Sequence, residues 1–133
     1  MAYAETTKVP FEKTVSDIIA MLRKAGAAQV GQMEEDGRLT ILFGLADRQI
    51  RFRVTWENTA ASKKQRARAL LLVIKAKLES VVSGVETFEQ AFLANIVMHD
   101  GKTVHERVSG DMALEYKTGQ PKMFLIAHGD STS

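Results

Sequence analysis

Arg48, Arg51, Arg53, Lys63, Lys64, Arg66, Arg68 and Lys75 fall within thirty residues of a 133-residue chain. Guanidinium and ammonium groups at that density are chemistry for anions, because a concentrated basic surface raises local anion density and speeds encounter with phosphate backbones. From Arg48 to Lys77 there are nine bases and one acid, Glu57, a net of +8. The other residues hold nine bases and fifteen acids, a net of −6, so the total of +2 hides a polarised chain.

The run Lys63-Lys64-Gln65-Arg66-Ala67-Arg68 opens a predicted helix, the end where the helix dipole favours acids. A need to meet an anion is one explanation for that placement. Pairing with acids elsewhere in the fold, such as Glu79, Glu86 and Glu89, is the other. The strand preceding the helix offers no aromatic platform for stacking bases, since Trp56 alternates with Phe52 onto the apolar side. Nucleic acid would therefore be held by its phosphates, with weak sequence preference and steep salt dependence.

Catalytic chemistry has less to stand on. His99, His105 and His128 match no metal-ligand spacing, and adjacent His105 and Glu106 diverge by about 100° on a helix. Glu34, Glu35 and Asp36 sit at a predicted hairpin tip, where acids serve turn formation and solubility. The glycines are isolated, without the Gly-rich lead into a helix that cradles nucleotide phosphates. Neither an enzyme, a metal site nor a cofactor is expected.

The elements that must position the bases follow from periodicity. Phe11, Val15, Ile18, Ile19 and Leu22 mark one face of a helix over residues 11–25, bracketed by Pro10 and Gly26. Leu39, Ile41 and Phe43, then Ile50, Phe52, Val54 and Trp56, alternate by two and predict strands. With a partner strand over residues 28–33, a turn at Asp36-Gly37 and a second through residues 44–47, they form a three-stranded antiparallel meander. Arg51 and Arg53 then share its outward face.

Residues 62–82 form a long helix whose Ala67, Leu70, Leu71, Ile74, Leu78 and Val81 lie on the sheet. Its far side carries a second apolar group, Ala69, Leu72 and Ala76. Such a helix is either sandwiched in its own domain or sits at a subunit contact. Thr87 to Gln90 and Thr103 to Glu106 fit capping boxes and predict two short helices, packing Phe88, Phe92 and Leu93, then Val104, Val108, Met112 and Tyr116.

The expected fold class is α+β: a single domain over residues 11–126, with a flexible N-terminus at 1–10 and a flexible tail at 127–133. Without cysteine there are no disulfides, which suits a reducing compartment. The first ten residues show no signal peptide or lipidation motif. The longest apolar run, Ala69 to Ile74, is six residues, against about twenty for a membrane span. A cytoplasmic protein without membrane contact is expected.

The stretch Gln65-Arg66-Ala67-Arg68-Ala69-Leu70-Leu71-Leu72-Val73-Ile74-Lys75-Ala76-Lys77-Leu78-Glu79, with Gly84-Val85-Glu86-Thr87-Phe88-Glu89, Phe92-Leu93-Ala94 and Asp100-Gly101-Lys102-Thr103-Val104, resembles a group of small uncharacterised proteins encoded by bacteriophages and prophages of α-proteobacteria. The likeness covers roughly residues 11–120. Members carry a longer polar insertion where this chain has only Glu57 to Ala61. The resemblance implies a bacterial host cell and a role among nucleic-acid-handling accessories, regulators or inhibitors of host machinery.

Two expectations result. The first is phosphate-directed nucleic-acid binding through Arg48, Arg51, Arg53, Lys63, Lys64, Arg66, Arg68 and Lys75. The rival is a protein-interaction module in which Ala69, Leu72 and Ala76 meet a second copy or a host protein, as an inhibitor or regulator. A structural phage component is a third.

Overall fold

Pro10 opens the first helix, where a missing amide hydrogen costs nothing and its carbonyl accepts from Lys13 and Thr14. The computed structural model describes residues 9–122, and α1 spans Phe11–Lys24. Of the flexible ends expected, 1–8 and 127–133 lie outside the described residues, as do 123–126 of the expected domain. Val9 and Pro10 are described, and Pro10 caps α1.

Gly26, at φ +97°, turns the chain into β1, Ala28–Glu35. The strands β2, Arg38–Leu45, and β3, Arg48–Thr55, complete an antiparallel sheet in the order β1-β2-β3. Gly37 supplies the positive φ of the first turn. The second turn is tighter than expected, because Leu45 pairs with Arg48 and only Ala46 and Asp47 lie between them. Both take positive φ, +52° and +59°, as a type I′ turn requires, yet neither is glycine.

Alternation decides the faces of the sheet. Leu39, Ile41, Phe43, Ile50 and Phe52 are buried on one side. Pairing of Leu42 with Arg51, and of Thr40 with both Arg53 and Met33, puts these five residues on the other.

The long helix α2, Ala60–Val82, starts at Thr59, whose hydroxyl accepts from the Ser62 amide at 3.0 Å. Both α1 and α2 cover the same sheet face and start from the same end of it. There the Lys63 ammonium sits 4.3 Å from the centre of the Phe11 ring and 2.7 Å from Glu34 of β1. Ala67, Leu70 and Ile74 are the buried stripe of α2, while Leu71, Leu78 and Val81 are half-buried, as periodicity predicts.

A 23-residue helix runs about 34 Å and an eight-residue strand about 27 Å, so α2 outreaches the sheet. The short α3, Phe88–Phe92, fills the space below its C-terminal half, and Lys77 Nζ donates to the Ala91 carbonyl at 2.8 Å. Phe92 is fully buried and meets Phe43 and Phe52 edge-on, with ring centres 6.2 and 6.1 Å away.

A 3-10 turn, Leu93–Asn95, then leads to isolated bridges, Ile50 with Ile96 and Val97 with Thr103, that the periodicity did not indicate. The first covers the start of the free edge of β3, and the second closes the connector on itself. The last helix, α4, spans Val104–Thr118. Both capping boxes form as expected, Thr87 with Gln90 and Thr103 with Glu106.

Both C-terminal helices are shorter than α2, as expected, at five and fifteen residues, but one expectation about this region fails. Leu93, Met112 and Tyr116 do not join the core: all three are exposed, Tyr116 at 86%. Among the described residues only Val104 and Val108 of α4 are buried, because α1, α2 and α3 already fill the sheet face and α4 leaves the body after its second turn.

Candidate nucleic-acid interface

The eight basic residues do not form one patch. Arg51 and Arg53 point away from α1 and α2, on the opposite face of the sheet, while Lys63, Lys64, Arg66, Arg68 and Lys75 belong to the helical layer on the other side. The hydrophobic core lies between them.

Local acids divide the set further. Arg48 reaches Glu89 at 3.3 Å, 41 residues away. Among the described residues Glu79, Glu86 and Glu89 form no ion pair with the helix-start bases they were expected to neutralise. Arg51 is enclosed: it donates to Glu106 at 2.6 Å and to the Gly101 carbonyl at 3.0 Å, leaving its side chain 15% exposed. It is therefore not an open outward-facing base, because the connector between α3 and α4 folds over it. Lys63 is held by Glu34 and by the Phe11 and Trp56 rings.

Arg53, Lys64, Arg66, Arg68 and Lys75 show no carboxylate partner among the described residues. Arg53 has only the Thr40 hydroxyl, at 3.4 Å. The four on α2, with Arg53 of β3, are consequently the unneutralised members of the eight-residue set. At 100° per residue Lys64, Arg68 and Lys75 fall within about 40° of one another along one flank, with Arg66 on the opposite flank beside Lys77.

Layer by layer the charge is clearer than it is along the chain. Together α1 and α2 carry nine bases and three acids, a net of +6. The other described residues carry eight bases and eleven acids, a net of −3. The first turn of α2 contains no acid. The polarity of the sequence becomes a basic helical layer against an acidic remainder, with α2 supplying most of the charge. The first helix adds a net of +1 through Arg23 and Lys24 in its last turn, since Lys13 is paired with Asp17.

The face between the basic flanks of α2 is apolar and open. Ala69, Leu72 and Ala76 are exposed, with Val73 beside them; Leu72 is 48% and Val73 46% accessible. Of the two alternatives for this second apolar side, no described residue buries it inside its own domain.

Elsewhere, His99 and His105 are exposed, and His128 lies outside the described residues. His99 stands at the rim of a cleft of about 600 Å³ with an apolar wall of Leu93, Ile96, Val97 and Met98. Among the described residues no three His, Asp or Glu side chains converge as a metal site. Two carboxylates are shifted. Hydrogen bonding from the Lys102 amide, assisted by Arg107, holds Asp100 below its ordinary value, and hydrogen bonding from the Thr103 amide, assisted by Arg51, does the same for Glu106. Both shifts are explained by caps and ion pairs.

The class these observations define is a small α+β protein with a helical layer of one charge sign, and among the described residues no helix is long and apolar enough to cross a membrane. Compared with known proteins, the chain matches no family model, and no curated protein or solved structure is significantly similar to it.

Proposed function

We propose that this protein binds nucleic acid through the outer surface of its helical layer, with Lys64, Arg66, Arg68 and Lys75 of α2 as the phosphate contacts. The observation that carries the reading is the net +6 of that layer, with these four bases unneutralised among the described residues. Binding would be electrostatic and nearly indifferent to sequence, because no aromatic platform accompanies the bases. Arg48, Arg51 and Lys63, already committed to Glu89, Glu106 and Glu34, contribute little. The role is that of a non-enzymatic accessory in the cytoplasm of a bacterial host, the context that the phage-group resemblance implies.

The test is fluorescence anisotropy with single- and double-stranded oligonucleotides at two salt concentrations. Affinity should fall steeply with salt. Absence of binding at low salt would refute the proposal.

One observation favours a second reading, a protein-interaction module: the apolar strip Ala69, Leu72, Val73 and Ala76 is open to solvent along a rigid helix. Apolar centres with charged margins are the usual anatomy of protein contacts.

A further inference from the structure

The outer half of α4 has the composition that the open strip of α2 lacks. Val104 and Val108 anchor the helix, and the same stripe continues through Met112 to Tyr116 with nothing of the described body beneath it. Asp111 and Glu115 lie alongside that continuation, one turn apart. The projecting half is therefore an amphipathic, acidic arm of about 13 Å, taking residues 110–118 at the helical rise.

The strip on α2 is its counterpart. Leu72 and Val73 stand between Ala69 and Ala76, whose small side chains let another helix approach closely. Arg68 and Lys75 border one margin, and Arg66 borders the other. The strip spans eight residues, close in length to the arm. Apolar residues would meet apolar residues, and Asp111 and Glu115, whose Oε1 also accepts from the Lys122 amide at 3.2 Å, would meet bases that lack a carboxylate partner among the described residues.

We infer that a second copy of this chain is the occupant of the strip: the α4 arm of each copy docks on α2 of the other, giving a two-fold dimer with two identical exchanged contacts. A contact of this kind is self-complementary and closes, as most homo-oligomers do. It rests on the interaction-module reading and not on the nucleic-acid one. Leu72 and Tyr116, the most exposed large apolar groups of the two facing surfaces, form its centre.

The test uses the full chain and two surface variants, Leu72→Asp and Tyr116→Asp, with circular dichroism melts to confirm that each folds. Light scattering over a concentration series should give twice the 14.7 kDa chain mass for the wild type. Each variant alone should weaken dimerisation by about thirty-fold or more, because both of its contacts carry the change. An equimolar mixture of the two variants should regain dimer, since one of the two exchanged contacts is then unaltered.

A wild type that stays monomeric throughout the series overturns the inference while leaving the strip open to a different partner. Dimers that Leu72→Asp breaks and Tyr116→Asp leaves intact would also overturn it, but would keep the strip as an interface. Failure of the mixture to recover dimer excludes the exchange.

Discussion

Arg51 on the open face of β3 donates to Glu106 in the first turn of α4 at 2.6 Å, across 55 residues of sequence. Glu106 Oε1 also accepts from the Thr103 amide at 2.8 Å, so one carboxylate oxygen closes the capping box and holds the strand arginine. Arg51 in turn donates to the Gly101 carbonyl, and Asn95 donates to the Arg51 carbonyl. The segment between α3 and α4 is thus fastened to β3 at Arg51, through side chain and backbone, beside the bridge of Ile50 with Ile96.

That junction should be acid-sensitive in a defined direction. Glu106 is held below the ordinary glutamate value of 4.5, so its stabilising contribution is complete above that pH and is lost as pH falls through the lowered folded value. Urea denaturation of wild type and Glu106→Gln should show their difference in stability narrowing below pH 4.5. A constant difference across that range would contradict it.

Phe92 is the keystone of the aromatic cluster, fully buried against Phe43, Phe52 and Phe88. Phe92→Ala should cost about 3–5 kcal/mol, enough to populate unfolded chain in a domain of this size. Phe92→Leu should recover most of the loss. Denaturant midpoints at constant slope would measure both.

The second turn holds Ala46 in the left-handed region at φ +52°. A glycine there removes a Cβ clash of about 1–2 kcal/mol and adds unfolded-state entropy of about 0.5–1 kcal/mol. Ala46→Gly should therefore raise stability by about 0.5 kcal/mol, seen as a small increase in Tm. A drop would mean that the packing of the Ala46 methyl group matters more than its backbone strain.

Among the bases, replacement of Lys64, Arg68 and Lys75 by Ala should reduce the slope of log affinity against log salt by about one for each phosphate no longer neutralised. Arg48→Ala, at a site already paired with Glu89, should leave that slope nearly unchanged. Equal effects from both would mean that the strand end takes part as fully as the helix, and anisotropy titrations separate the cases.

Local patterns made most of the elements legible. Pro10, the period of Phe11, Val15, Ile18 and Leu22, and Gly26 define α1 to within a residue, since a helix and its caps depend on neighbours three or four places away. The two capping boxes were readable for the same reason. The bridge from Ile50 to Ile96 was not: it involves one residue on each side and creates no period. Tyr116 misled because its spacing continues the buried stripe of Val104 and Val108, and spacing carries no information on where the underlying body ends.

By itself, the sequence determined the α+β class, the meander and the concentration of bases between Arg48 and Lys77, all properties of short windows of chain. The tertiary structure alone decided what those bases are. Enclosure of Arg51 by Glu106, capture of Lys63 by Glu34, and separation of strand and helix bases by the core depend on residues that become neighbours only on folding. Electrostatic interaction follows distance in space, so a run of charge along the chain became a surface only where packing left it without a partner.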